Sequence, residues 1–340
     1  MSLSFEAPII IVGQGLAGSL LAWSLLQQDK DLHIFAGDKP SASRVAAGLI
    51  NPVTGQRFVL AARTPEMLSF AKPFYRHIES TLDISFFHEK PMLRLFNSQK
   101  EQENCKKRLK NERYDAFLDE KSISFRLNNE HGGIIQQHTA WLDTNTLLDA
   151  LHAYFKQLNI ITHENFEQHE HAQTVIYCEG YHMMFNPLFS WLPLQPAHGE
   201  IITCKSDKKL PDHIINKSKW LLPTGEYECR IGATYETCKT APSTQPESKQ
   251  QLLEFANSLF TEPYNFEVSQ HEAGIRPTTL DKQPFIGFHP KHKNIAIFNG
   301  FGSRGSLLIP WYSQSFSQTL TNNTPIPKEA SINRFQNLMW

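Results

Sequence analysis

The sequence predicts an α/β fold in which a unit of alternating strands and helices is interrupted by an inserted antiparallel sheet. Three observations carry this expectation. The apolar run Ile9-Ile10-Ile11-Val12 passes through Gly13-Gln14-Gly15-Leu16-Ala17-Gly18 into the helical pattern of Ser19 to Gln28. Short apolar segments in the later half, Glu200 to Cys204, Trp220 to Leu222 and Arg230 to Ala233, are bounded by Pro, Gly or polar turns, as antiparallel strands are. A second glycine-rich loop, Asn299 to Ser306, opens onto the apolar Leu307-Leu308-Ile309-Pro310 near the other end of the chain.

The opening order of strand, glycine loop and helix is the context of a Rossmann-like dinucleotide site. Gly13 permits the tight turn, Gly15 lets a pyrophosphate approach bare backbone, and Gly18 allows close helix-to-strand packing. The amides at the helix start point at the anion. Pro8 to Leu26 carries almost no charge, but a signal peptide needs a basic region before its apolar stretch, and the only charge before Ile9 is Glu6. Three glycines at this spacing also serve no purpose in a bilayer anchor. The second strand, Leu32-His33-Ile34-Phe35, should end on an acid that binds the ribose, roughly 20 residues beyond the loop. It runs instead into Ala36 and Gly37 before Asp38, which is either that acid or a solvated loop carboxylate.

Further along, Ser41 to Pro52 is rich in small residues and ends in an Asn-Pro turn, so its backbone can lie close to a flat ligand. Thr64 to Ser80 reads as a helix with Pro65 near its start, followed by strands at Ile84 to Phe87 and Met92 to Phe96 and a charged helix over Gln99 to Glu112. Asp143 or Thr144 caps a helix whose apolar face is Leu147, Leu148, Ala150, Leu151, Tyr154 and Phe155. Ile160 to Thr162 and Val175 to Cys178 are short strands, the second running into Glu179-Gly180; Gln250 to Phe260 is a helix and Ile295 to Phe298 a strand.

At 340 residues the chain can form two domains or one large one. Its 33 Lys and Arg balance 34 Asp and Glu, so no global basic field draws it to nucleic acid or anionic lipid. The five cysteines, Cys105, Cys178, Cys204, Cys229 and Cys238, form no C-x-x-C pair and fit reduced thiols in a cytoplasmic protein. His163, His169 and His171 sit near Glu164, Glu167 and Glu170 without recognisable ligand spacing, and no metal is expected.

Taken together, the glycine fingerprint, Ser41 to Pro52, Trp141-Leu142-Asp143, Val175 to Gly180, Gly199-Glu200-Ile201-Ile202, Leu222-Pro223-Thr224 with Ile231-Gly232-Ala233-Thr234, Gly274-Ile275-Arg276-Pro277 and Asn299 to Pro310 resemble the FAD-dependent D-amino-acid oxidase, glycine oxidase and sarcosine oxidase superfamily. The resemblance implies a Rossmann-like FAD-binding domain, assembled from residues 1–65, 135–195 and 265–340, with an antiparallel-sheet substrate domain from 66–134 and 196–264. It places FAD against Gly13, Gly15, Leu16, Ala17, Gly18, Asp38, Ser43, Arg44, Ala47, Gly48, Gly180, Gly300, Gly302, Ser303, Arg304, Gly305 and Ser306. The last loop would sit at the flavin's pyrimidine edge, where negative charge collects on reduction.

Arg276 in Gly-Ile-Arg-Pro is similar to the carboxylate-binding arginine of these oxidases; a planar guanidinium can hold a carboxylate through two parallel hydrogen bonds. Its alternative is neutralisation of Asp281 or another neighbouring carboxylate. Arg304 faces substrate, flavin or solvent, and Tyr227 and Tyr235 are candidates to close over a substrate, or else ordinary sheet packing. The implied activity is oxidation of the C–N bond of a small amino acid or N-substituted amino acid. The 300–305 loop and the displaced acid are also similar to the oxidase domain that acts on a carboxymethylaminomethyl group of tRNA, although near-neutral charge argues against a nucleic-acid partner. A flavin-binding protein without amine turnover is the alternative outside catalysis, and a nicotinamide dehydrogenase leaves the second glycine loop unexplained. No membrane partner is expected.

Overall fold

The computed structural model describes residues 8–38, 41–120, 127–166, 174–237 and 239–338. A six-stranded sheet runs in the order Ile161–Thr162, Leu32–Phe35, Ile9–Val12, Val175–Tyr177, His292–Asn299 and Phe285–His289. All its pairings are parallel except the last, an antiparallel hairpin. Ile11, Ile34, Ile176 and Ala296 are wholly buried in adjacent strands, as expected where helices cover a parallel sheet. The Leu16–Leu26 helix is apolar around most of its circumference, so it is buried rather than amphipathic. It lies against the Gly305–Asn322 helix, and Ser24 and Ser313 share a 2.9 Å hydroxyl hydrogen bond across that contact.

The second sheet has nine strands. Phe266–Arg276 pairs with Ala197–Ser206, which continues through Glu228–Gly232, Trp220–Pro223 and Ile214–Asn216 to Met92–Leu95, Gly133–Gln136 and Leu118–Asp119; Glu236–Thr237 extends one end. It is antiparallel but for one parallel pairing between Ile214–Asn216 and Met92–Leu95, a crossing that short-range patterning does not reveal. The Pro246–Ser258 helix covers one face, burying Leu252, Phe255 and Ala256 against Ile202 and Cys204. Among the described residues no helix is long and apolar enough to cross a membrane.

The expected domain limits do not coincide with this packing. The Thr64–Leu82 helix, expected with the substrate part, buries Met67, Ala71, Tyr75 and Ile78 in the core that holds Ile11 and Leu20. Conversely, Phe266–Arg276, expected with the nucleotide part, belongs to the antiparallel sheet, paired along its length with Ala197–Ser206. The 3.6-residue and two-residue periods identify these elements but not the sheet or core that receives them.

Glu79 ties the 64–82 helix to the chain that follows it. Its Oε1 accepts the amides of Phe86 and Phe87, each at 2.8 Å, and its Oε2 accepts from Arg76 at 2.6 Å. Burial alone would raise its pKa; the two amides and Arg76 outweigh that and hold it below the ordinary glutamate value. Glu79→Gln is therefore expected to lose about 1–3 kcal/mol of stability at neutral pH. Because the folded pKa is depressed, the carboxylate's contribution is complete above the unfolded pKa and is lost as pH falls through the folded one. Denaturant midpoints of wild type and variant should thus converge as the pH is taken below the ordinary glutamate range. Equal stability at pH 7 would refute this account.

Candidate active site

The first glycine loop leaves the Ile9–Val12 strand at the carboxyl edge of the parallel sheet, the usual ligand edge of such folds. Gly13 has φ +106°, and a Cβ on Gly18 would stand 1.9 Å from the Gly13 carbonyl oxygen, so the turn closes only with both glycines. Ser41 and Ser43 bring their hydroxyls beside the bare face of Gly15, 3.3 and 3.4 Å from where a Cβ would be. Ser43 Oγ accepts the Leu16 amide at 3.0 Å, and Ala17 follows partly exposed in the same helical turn. Gln14 is held by His152 through Oε1 at 2.9 Å, which leaves its buried Nε2 with no partner among the described residues. Bare backbone, two hydroxyls and an unused amide donor fit the pyrophosphate of FAD.

Arg44 turns away from this cradle. Its Nη1 is 2.6 Å from Asp149 and also donates to the Asn145 carbonyl at 3.3 Å, so its guanidinium pins the short Ala42–Val45 turn to the Thr144–Gln157 helix. The missing signal was Asp149, a helix-surface acid 105 positions away in the chain. Ala47 is buried beside Met92, Ile201 and Leu222, and the Gly48 carbonyl accepts the Leu142 amide at 3.0 Å. Asp38 lies exposed in the bend after the second strand.

Gly180 and Gly300 are brought together by Asn299, which the sequence marks only as the first residue of the second glycine-rich loop. Its Nδ2 donates to the Gly180 carbonyl and its Oδ1 accepts the Gly300 amide, both at 2.8 Å. The loop continues through the Gly302–Arg304 turn, with Ser303 exposed, directly into the Gly305–Asn322 helix. Ser306 is buried at the helix start and its carbonyl accepts from Tyr75 Oη at 2.8 Å. Arg304 is directed toward the start of the 64–82 helix, with Nη2 3.5 Å from Thr64 Oγ1 and a buried Nε that has no partner among the described residues. Burial lowers its pKa, with a smaller opposing effect from Tyr312.

Arg276 ends the long Phe266–Arg276 strand, and the Pro277 carbonyl beyond it accepts the Gly302 amide at 3.2 Å, joining this strand to the second glycine loop. The guanidinium lies over Gly199, where a Cβ would come within 2.2 Å of Nη1. Its protein partners are neutral: the carbonyls of His198 and Thr234, each 3.4 Å from Nη1, and the ring of Tyr235, 5.7 Å from Cζ. Among the described residues no carboxylate pairs with it; Asp281, the expected competitor, is engaged by Arg334 at 2.7 Å. Burial lowers the Arg276 pKa and the Tyr235 hydroxyl opposes that effect. An arginine desolvated without a counter-charge is suited to receive an anionic ligand.

The structure separates the two candidate tyrosines. Tyr227 is in the turn beyond Pro223, and its carbonyl accepts the Ser206 amide; Arg276 pairs with Ala197 at the opposite end of that same strand. Strand rise puts about 30 Å between them, so Tyr227 does not close over a ligand held by Arg276. Arg230 was not anticipated: Nη1 and Nη2 donate to the carbonyls of Ala46 and Val45 at 2.9 and 2.7 Å, clamping the Ser41 to Pro52 segment onto the antiparallel sheet. Asn51 Oδ1, in that segment, and Trp141 Nε1, on the strand paired with it, are buried without partners among the described residues. Of the histidine-rich stretch considered in the sequence, Glu167, His169, Glu170 and His171 lie outside the described residues; so does Cys238, while Cys105, Cys178, Cys204 and Cys229 are free and buried.

Comparison with known proteins gives this arrangement a context. Residues 8–318 match a family described as FAD dependent oxidoreductase, DAO. Glycine oxidase of Pseudomonas putida is 28% identical over 136 residues, 40% of this chain and 37% of that protein. The tRNA 5-methylaminomethyl-2-thiouridine biosynthesis bifunctional protein MnmC of Marinobacter nauticus is 23% identical over 354 aligned positions, covering 89% of this chain and 54% of that protein. Each match therefore spans less than two thirds of the relative's length. The crystal structure of glycine oxidase from Geobacillus kaustophilus shares the fold with a TM-score of 0.80 at 17% identity, covering 94% of this chain and 95% of that one.

Proposed function

The chain belongs to the DAO family of FAD-dependent oxidoreductases, and on that premise we propose that it oxidises the C–N bond of an amine whose α-carbon carries a carboxylate. The observation that carries this reading is Arg276, a partly buried cation whose partners among the described residues are all neutral. Two of its guanidinium N–H groups hold the carboxylate in parallel and fix the direction of the neighbouring C–H bond. The carbonyls of His198 and Thr234 aim the guanidinium from behind, and Gly199 leaves room for it. FAD supplies the acceptor for the hydride that leaves this carbon. The amine reacts in its neutral form, so no side-chain base is required, and the imine product takes up water to release a carbonyl compound together with ammonia from a primary amine or the shorter amine from an N-substituted one. Gly13, Gly15, Gln14, Ser41 and Ser43 would hold the pyrophosphate, and Asp38 the ribose. The 300–306 loop would present its amides to the ring edge that becomes negative on reduction.

A second reading keeps the chemistry and enlarges the substrate to a carboxymethylaminomethyl group on a tRNA base. It is favoured by the reach of the MnmC relatives, which align with 89% and 95% of this chain, whereas the glycine oxidases align with 40% and 42%. Free buried thiols suit a reducing, cytoplasmic setting for either.

Anaerobic mixing of the yellow protein with glycine, sarcosine, D-proline and carboxymethylaminomethyl-modified tRNA separates these readings. Bleaching of flavin absorbance by a small amino acid supports the first. Bleaching by the tRNA alone, with salt-dependent binding, supports the second. Bound FAD that none of them reduces would leave a flavin-binding protein without amine turnover and defeat both.

A further inference from the structure

Successive residues of a strand face opposite sides of its sheet. Gly199 faces the Arg276 guanidinium, so His198 and Glu200 face the side covered by the Pro246–Ser258 helix. Both are 0% exposed. Glu236 is the antiparallel partner of His198 on the adjoining Glu236–Thr237 strand. One ligating atom from each of His198, Glu200 and Glu236 lies within 4.8 Å of the other two.

The hydrogen bonds around this cluster leave specific atoms unused. His198 Nε2 is 3.1 Å from the Ser243 carbonyl, which can only accept; Nε2 therefore carries the proton and Nδ1 a lone pair. Glu200 Oε2 accepts the Gln245 amide at 2.9 Å and has His271 Nε2 at 2.8 Å, the latter a close approach without hydrogen-bond alignment. His198 Nδ1 and Glu200 Oε1 are buried with no partner among the described residues. An acceptor lone pair and a carboxylate oxygen left dry each carry a desolvation cost that a bound cation would offset. Imidazole nitrogen with two carboxylates is a ligand set for zinc or a similar divalent transition ion, and the bond from Nε2 to a backbone carbonyl is the usual way such an imidazole is oriented.

We propose that His198, Glu200 and Glu236 form a divalent metal site of the zinc class on the back of the strand that carries the Arg276 pocket. Two groups among the described residues compete with a metal: Lys239, whose buried Nζ stands 3.6 Å from Glu236 Oε2 and makes no hydrogen bond among the described residues, and His271, 2.8 Å from Glu200 Oε2, which is a cation only when protonated. While His271 is neutral, one ammonium does not balance two carboxylates. The metal would join two strands through residues whose backbones serve Arg276: the His198 carbonyl contacts the guanidinium, and the Glu200 amide donates to Thr234 Oγ1 at 2.9 Å while the Thr234 carbonyl contacts it too. This is a structural brace, and it stands whether or not the substrate proposal does.

The test is metal content and thermal melting of the FAD-loaded protein, stripped with chelator and then titrated with zinc chloride. About one equivalent of zinc should survive gel filtration and the melting temperature should rise by several degrees. Glu236→Gln, at a partly exposed position, should weaken zinc binding at least about tenfold while the protein remains folded and yellow. Lys239→Met should retain or tighten zinc binding. No retained zinc with no melting shift would overturn the site. So would Glu236→Gln and His198→Gln variants that bind zinc as wild type does, or a Lys239→Met variant that is destabilised and cannot be rescued by zinc, which would show the ammonium to be the cluster's own counter-ion.

Discussion

Arg276→Lys should lower kcat/KM for the carboxylated amine by roughly a hundredfold, and Arg276→Ala by roughly a thousandfold or more, with FAD content unchanged. A hydrogen bond to a charged group contributes about 1.5–3 kcal/mol, and each 1.36 kcal/mol is about tenfold in rate. Lysine keeps the charge but not the parallel pair of donors, so it loses orientation as well as one bond. The guanidinium also has no carboxylate partner among the described residues to lose, which separates the expected loss from a broken ion pair. The anaerobic reduction rate, measured with flavin absorbance and melting temperature on the same sample, reads the two effects apart. Tyr227→Phe, at the far end of the sheet, should leave the rate as it was. An Arg276→Ala variant reduced as fast as wild type would remove the arginine from the site.

Gly15→Val should give folded but colourless protein, with FAD affinity reduced at least about a hundredfold. A Cβ there meets only the hydroxyls of Ser41 and Ser43, at 3.3 and 3.4 Å, which can yield; what the side chain occupies is the approach to the backbone amides. Gly18→Val makes the contrasting case, because its Cβ would stand 1.9 Å from the Gly13 oxygen and the backbone itself must move. That variant should fail to fold, whereas Gly15→Val should melt within a few degrees of the apo wild type. Absorbance near 450 nm relative to protein measures the outcome. A yellow Gly15→Val protein with full FAD occupancy would mean that the cofactor does not cross this loop.

The residues that announced the cofactor were those whose identity is set by backbone geometry. Gly13 and Gly18 stand where only glycine closes the turn, so a short local pattern was enough to find them. Elements with a clear period were also readable: the Thr64–Leu82 helix begins at the expected residue, and Asp143 caps the Thr144–Gln157 helix through the Thr146 amide at 3.1 Å. What stayed hidden depends on contacts between residues far apart in the chain. The side chain of Arg44 goes to Asp149, that of Arg230 to the Val45 and Ala46 carbonyls, and Asn299 spans Gly180 and Gly300. No spacing rule encodes those pairings. Tyr235 and Tyr227 were equivalent candidates for the same reason, since strand alternation fixes a face and says nothing about which end of the sheet a residue occupies.

The Asn299 bridge and the strand behind it also set an order of events for the growing chain. His292–Asn299 lies between Val175–Tyr177 and Phe285–His289, so the parallel sheet stays incomplete until the ribosome has passed position 299. Until then Ile176 and Cys178, which end buried in the main core, lack their neighbours, and the first glycine loop faces a half-built floor. Completion of the sheet is therefore a late step of synthesis: the fingerprint is translated early, but the strand two places from it in the sheet waits for nearly three hundred further residues.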